Sequence, residues 1–432
     1  MVNNNPISIV DELEFDRYGI DGGYEIYELK HNISLTAINI RQKRQGLEAE
    51  IGIDAPDYHF KKENIILHLQ DYSQRKKLAL ELAGQTSEPL PWDKLLDALC
   101  EETVNLSRQL SEIQDVNAEP SVSTIEYEFQ GIAIPKNLPS TIFAPGGKGK
   151  TTFASFLAVI YEYGIAPTLP ITPSTGHVLY LDYESDIEVM RKYFKAIRAG
   201  LDLTDHREIA YQFCERPLLD IIDSLRTLIK NRGIELVIID SQMAATAGGS
   251  QYMNEAEKAS EYYNCLRSLK CTTITLDHVT KESMKSQDTN GTSSPYGSIV
   301  KYNRAKSIYE LRSVQDTDSD HLEFALIHQK FNLGRKQKPM GIAIDFENNG
   351  DELCSIKFSE CELADNPELA KTLPVKTRIF DLLLHEGLKT VEEISEDIGI
   401  GHDTAKTTLN RNKNMFMKNG NTWGVLSRSK LP

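Results

Sequence analysis

The sequence predicts an α/β fold: a central parallel sheet with helices on both faces, a small α+β domain before it and a helical module after it. Three observations carry this. Short apolar runs at 141–144, 177–182, 235–240 and 271–278 alternate with helical patterns such as 217–231 and 254–270, as buried parallel strands joined by crossover helices do. A glycine-rich loop at 144–149 separates the first of these strands from a helix. The third run ends in an aspartate, Asp240, where the carboxyl ends of parallel strands face a ligand crevice.

Each segment then follows in order. Residues 24–53 alternate apolar and polar side chains, which fits a small antiparallel sheet. Helices are predicted at 73–83 and 92–110, the second after the breaker run at 88–91. Residues 117–123 read as a linker into the central domain. After the four parallel strands, β-rich segments at 307–314, 322–330, 341–346 and 353–358 extend the sheet in hairpin fashion, and 362–374 forms a second linker. The predicted domains are 1–120, 121–362 and 372–432.

Composition bounds the function. With 40% hydrophobic and 26% charged residues in 432, the chain suits a soluble protein of two or three domains. No apolar stretch approaches a membrane span, the longest lying around 153–160. Met1–Arg17 is polar and acidic, without the layout of a secretion signal, so a cytoplasmic protein without a membrane partner is expected. The six cysteines show no paired spacing and read as free thiols. A net charge of −15 argues against broad adhesion to nucleic acid. Residues 371–432, however, hold ten basic and seven acidic side chains, and from Thr404 onward six basic and no acidic ones. That segregation marks the C-terminal end as the nucleic-acid surface.

The run Ala144, Pro145, Gly146, Gly147, Lys148, Gly149, Lys150, Thr151, Thr152 carries the clearest chemistry. Glycines let backbone N–H groups turn inward onto phosphate oxygens, and the following helix adds its positive end. Lys150 would reach the β- and γ-phosphates, and the Thr151 hydroxyl would ligate magnesium together with Asp240. ATP and Mg2+ are therefore the expected cofactors. The run departs from the usual phosphate-loop pattern at its first position, where Ala144 stands for glycine.

With 178–184 (VLYLDYE), 237–241 (VIIDS), 276–281 (LDHVTK) and 295–298 (PYGS), these motifs resemble RecA-fold ATPases of the RepA- and DnaB-type hexameric helicase class, over roughly residues 135–350. The resemblance implies a RecA-like central sheet and an ATP-hydrolysing motor on nucleic acid, with a homo-oligomer, possibly a hexamer as in the class, around a single strand. It implies that Glu184 activates the attacking water, with Asp182 as the competing carboxylate, and that His278 senses the γ-phosphate. It also implies a cation supplied by the next subunit: Arg304 first, then Lys330 and Arg335. The loop at 282–295, with Lys281 and Lys285, would face single-stranded nucleic acid.

In the last segment, helices at 375–386, 390–398 and 404–414, the third capped by Asp403, precede a hairpin at 415–426 turning at Asn419-Gly420. Three helices and a hairpin resemble a winged helix-turn-helix. Its third helix carries Thr407, Asn410, Arg411 and Lys413, residue types suited to duplex DNA. Three functions fit this reading: a helicase or translocase of a mobile element, a RecA-fold ATPase used as a switch on DNA without unwinding, and a DNA-binding regulator whose ATPase domain controls assembly.

Overall fold

The computed structural model describes residues 9–10, 13–20, 23–43, 46–86, 88–108, 125–165, 168–246, 254–279, 299–315, 319–350 and 352–426. The chain divides into two compact units, Met1–Ser121 and Val122–Pro432.

The first unit is a six-stranded antiparallel meander with two helices. Its strands are β1 (Ile9–Val10), β2 (Leu13–Ile20), β3 (Gly23–Glu28), β4 (Ile33–Lys43), β5 (Gly46–Ala55) and β6 (Phe60–His68), hydrogen-bonded in sequence order. The alternation read at 24–53 is the period of β3 to β5: Ile33, Leu35, Ala37, Ile51, Ile53 and Ala55 are buried on one face. The helices α1 (Tyr72–Ala83) and α2 (Trp92–Arg108) cover that face with Leu82, Trp92, Leu95, Leu96 and Leu99. Asp71 caps α1 by accepting from the backbone N–H groups of Ser73 and Gln74.

The second unit is built on a nine-stranded mixed sheet. Its parallel strands are β9 (Pro139–Ala144), β11 (His177–Asp182), β12 (Ala210–Phe213), β13 (Ile234–Asp240) and β14 (Thr272–His278). They are followed by β15 (Ser307–Gln315), β16 (His321–Phe331), β17 (Met340–Asn349) and β18 (Glu352–Glu360). The spatial order is β12-β11-β13-β14-β9-β15-β16-β17-β18. The expected hairpin extension holds from β15 to β18, and β15 joins it to the parallel strands by pairing parallel with β9. The strand read at 271–278 begins one residue later, and β12 was not foreseen: its four residues are too short and too half-exposed to give a period. Three short strands, β7 (Tyr127–Gln130), β8 (Ile134–Pro135) and β10 (Thr172–Pro173), form a separate small sheet.

Helix α3 (Lys150–Tyr163) follows the glycine loop and is almost wholly buried, so it carries no amphipathic signature. Phe156 stacks on Phe358 of β18 with centroids 4.0 Å apart, and Phe153 meets Phe324 of β16 edge-on. Helix α4 (Ile187–Gly200) lies on the same side of the sheet, while α5 (Leu218–Arg232) and α7 (Glu255–Ser268) pack on the other. Between them are the short α6 (Gln242–Ala245) and, before β15, α8 (Ile299–Arg304).

The C-terminal segment contains the short α9 (Pro367–Ala370), then α10 (Val375–Glu386), α11 (Val391–Asp397) and α12 (His402–Arg411), and a three-stranded sheet of β19 (Lys389–Thr390), β21 (Thr422–Val425) and β20 (Phe416–Asn419). Ile379, Phe380, Leu383, Ile394, Leu409, Phe416 and Trp423 fill its core. Thr390 and Glu393 form a capping box at α11. The third helix differs from expectation: it starts at His402 after an extended Gly401, without a side-chain cap from Asp403, and ends at Arg411, leaving Lys413 beyond it. Asn412, at φ −114° and ψ 48°, breaks the helical path that the residue pattern alone would have continued.

Candidate active site

The site lies at the carboxyl ends of the parallel strands. Because β14 sits between β9 and β13, His278 pairs with Ala144 on one side while Leu276 pairs with Asp240 on the other, and Asp240 pairs with Asp182. Ala144 is a regular, fully buried residue of β9. The tight turn begins after it, which is why this loop does without a first glycine. The turn needs Gly147 (φ 68°) and Gly149 (φ 84°), and a Cβ on Gly149 would come within 2.9 Å of Leu322.

Lys150 is 6% exposed, and its Nζ donates to the carbonyl oxygens of Ala144 and Pro145, both at 2.9 Å. Burial holds its pKa below the usual lysine value, opposed by the charges of Asp240, Glu184 and Asp277. Among the described residues the ammonium thus meets loop carbonyls alone, weak stand-ins for phosphate oxygens. Thr151 Oγ1 donates to Asp240 Oδ2 at 2.7 Å, and Tyr180 Oη donates to the same oxygen at 3.0 Å. Burial pushes the Asp240 carboxyl up to about 6, against those two hydrogen bonds. Its Oδ1 takes no hydrogen bond among the described residues. A threonine hydroxyl beside a carboxylate with a free oxygen suits a hard cation that keeps most of its ligands as water and phosphate. Among the described residues no cluster of three acidic, histidine or cysteine ligands exists, so Thr151 and Asp240 would hold magnesium only with phosphate present.

Glu184 and Asp182 part company here. Asp182 is 1% exposed, and its carboxylate accepts from the backbone N–H groups of Glu184 and Ser185, both at 2.9 Å, and from Tyr211 Oη at 3.1 Å. It shapes the turn after β11. Glu184 is exposed and turned into the site. Its Oε1 faces His278 Nε2 at 3.2 Å and accepts a hydrogen bond from Ser241 Oγ. The His278 bond holds the Glu184 carboxyl down at about 2, helped by Ser241 and opposed by partial burial. A carboxylate so stabilised is a poor base until a water replaces one of these partners. Beside it, Asp277 and Lys301 form a buried ion pair at 3.0 Å that ties β14 to α8.

The three candidate cations sit elsewhere. Lys306 N donates to Pro139 O, Asn332 N donates to Lys306 O, and Lys330 pairs with Ile308. Arg304 and Lys330 therefore lie at the amino end of β9, roughly 16 Å of strand from the phosphate loop. Arg304 donates to Ser260 Oγ (2.6 Å) and Asn264 Oδ1 (3.4 Å) of α7. Lys330 donates to the carbonyls of Tyr302, Asn303 and Ala305 at 2.6 to 2.9 Å, using all three of its protons. Burial lowers it to about 8. Arg335, in the β16–β17 loop, is exposed and without a partner among the described residues. That loop is anchored by buried His328, whose Nδ1 accepts from Gln337 N at 2.9 Å and whose Nε2 faces Ser307 Oγ at 3.0 Å. Burial pushes His328 down to about 4, so it stays neutral.

Lys281 and Lys285, the loop at 282–295 and the 295–298 motif lie outside the described residues, as does the end of the loop that follows β13, from residue 247. On the C-terminal segment Lys406, Thr407, Arg411, Lys413 and Lys418 are all exposed, and these four cations make no ion pair among the described residues. Asn410 differs: its Nδ2 donates to Lys406 O at 2.8 Å. Sequence reasoning missed Tyr180, Ser241 and His328. Ser241 directly follows Asp240 and Tyr180 lies two residues before Asp182, so both were visible as polar positions at strand ends, but their partners come from other strands.

Residues 105–284 match the family model described as an AAA domain, which takes in the phosphate loop, Glu184, Asp240 and His278. No curated protein matches the chain. Among solved structures, a KaiC-like protein from Pyrococcus horikoshii is 15% identical with a TM-score of 0.37, over 54% of this chain and 94% of that one. The family match falls on the central region, where β9, the glycine turn and α3 form a P-loop nucleotide site. No helix among the described residues is long and apolar enough to cross a membrane.

Two outcomes follow. Glu184→Gln binds ATP normally and turns over at least ~100-fold more slowly, the scale of a lost general base; Asp182→Asn instead lowers the melting temperature. Steady-state ATPase rates beside melting curves separate the two, and the opposite pattern reverses the assignment. Second, the Asp240 carboxyl is raised, so it takes up a proton as pH falls through about 6 while Glu184 stays ionised. Magnesium affinity of the nucleotide complex therefore weakens as pH falls from 7 to 5, and calorimetric titration of Asp240→Asn shows a smaller change over that range.

Proposed function

We propose that this chain is an ATP-driven motor on nucleic acid that works as a head-to-tail homo-oligomer, in the manner of a RepA-like helicase or translocase. The observation that carries the reading is the placement of cations. Phosphoryl transfer needs positive charge on the γ-phosphate besides Lys150 and magnesium. Arg304, Lys330 and Arg335 all lie toward the edge of the sheet away from their own phosphate loop. A cation there completes a site only in the next subunit, and an interface joining opposite edges is heterologous, so it builds rings or filaments. Of the three, Arg335 is the one without a partner among the described residues, and it is our choice for the trans cation; Arg304 and Lys330 serve their own chain's helices.

The nucleic-acid part rests on the C-terminal segment, a winged helix-turn-helix in this reading. Four cations on and after its third helix, without an ion pair among the described residues in a chain of net charge −15, suit phosphate contacts better than a protein surface, where lysines are commonly paired or depleted. A RecA-fold switch that assembles on DNA without unwinding shares both features. Translocation along a strand separates the two.

Arg335→Ala should bind ATP near normally and lose most turnover. Mixing it with Lys150→Ala subunits should restore part of the rate, because mixed interfaces pair an intact loop with an intact cation. A dilute monomer that turns over as fast as the concentrated protein contradicts the trans arrangement. For the C-terminal segment, the full chain should bind duplex DNA with a log–log salt slope set by roughly three to five phosphates. Lys406→Ala, Arg411→Ala and Lys413→Ala together should flatten that slope. Fluorescence anisotropy from low to moderate salt reads it, and an unchanged slope would make the segment a protein-contact module.

A further inference from the structure

The carboxylate of Asp240 has two hydrogen-bond donors of different character. Thr151 sits at the first turn of α3, and its hydroxyl rotates about a single bond. Tyr180 offers a hydroxyl at the end of a rigid ring, and that ring is fully buried within the core. It packs edge-on against Phe194 of α4, centroids 5.9 Å apart and planes at 86°. In the β11–β13 register Tyr180 stands opposite Ile238, so its side chain leans along the strand to reach Asp240, two residues further on. The ring cannot follow a moving carboxylate, and burial keeps its phenol protonated. It is a fixed donor.

Both donors meet Oδ2, at 2.7 and 3.0 Å, and leave Oδ1 free. When a cation draws on the oxygen of Thr151, the threonine alone cannot fix the rotation of the Asp240 carboxylate, because its own torsion is then set by the metal. The tyrosine still can. We infer that Tyr180 is a positioning residue of the metal site, holding Asp240 Oδ2 so that Oδ1 is presented to the water shell of magnesium bound with the nucleotide. The inference rests on the ATPase reading. It gives a strand residue that otherwise reads as core a defined part in metal binding, as partners one shell out from a metal commonly have.

The test is Tyr180→Phe, which keeps the ring and removes the hydroxyl. A fluorescent ATP analogue is titrated in EDTA and then with increasing magnesium. The magnesium concentration giving half the added affinity should rise by ~10-fold or more, the scale of losing such a partner, while the affinity in EDTA stays at the wild-type value. A purely packing role for the phenol predicts a lower melting temperature with the magnesium midpoint unchanged, and that result overturns the inference. Phe194→Leu, which loosens the ring but keeps the hydroxyl, serves if Tyr180→Phe does not fold. It should raise the midpoint by a smaller factor, and an unmoved midpoint counts equally against the inference. A wild-type protein showing no magnesium-dependent binding of the analogue would sink the ATPase reading itself.

Discussion

The hydrogen bond from Thr151 to Asp240 is the interaction on which the rest depends. It joins the first turn of the helix after the phosphate loop to the end of a strand two places away in the sheet. For that bond to form, β14 must lie between β9 and β13 in register, so that Ala144, His278 and Asp240 end at one level. The register in turn is enforced by burial: β9, β13 and β14 are apolar or fully buried along nearly their whole length, and a slip of one residue would send every side chain to the wrong face. The core therefore exists partly to bring one hydroxyl to one carboxylate.

The direction of the strands divides the chemistry between two edges. Carboxylates, the buried lysine and the glycine turn gather where the parallel strands end. Arg335, exposed and without a partner among the described residues, lies toward the end where they begin, in the loop that His328 ties down through Gln337. At the carboxyl ends Glu184 rests on His278 and Ser241, donors supplied by β14 and by the residue that follows β13.

What the sequence makes legible follows physical range. Local signals read well: the glycine turn at Gly147 and Gly149, the strand ending in Asp240, the period-two pattern of β3 to β5 and the capping box of Thr390 and Glu393. Signals that depend on a distant partner did not. Lys330 stands in the sequence as a candidate trans cation, but the carbonyls of Tyr302, Asn303 and Ala305 saturate it. Asp182 and Glu184 differ by two positions and one residue type, and their partners tell them apart: backbone N–H groups on Asp182, His278 and Ser241 on Glu184. Tyr180 shows a polar group in the sequence but not its use, because its partner is on β13, 60 residues away. The last helix ended early for a local reason, the non-helical Asn412, that residue type alone does not reveal.

The account stands most directly on Lys150, whose ammonium now rests on the carbonyls of Ala144 and Pro145. A structure of the protein with magnesium and a slowly hydrolysed ATP analogue tests it. The account predicts triphosphate in the 144–152 loop, the Lys150 ammonium turned from those carbonyls to phosphate oxygens, and the Asp240 carboxylate still held by Tyr180. Nucleotide bound elsewhere on the chain, or a triphosphate in the loop with Lys150 still on Ala144 and Pro145, would contradict it.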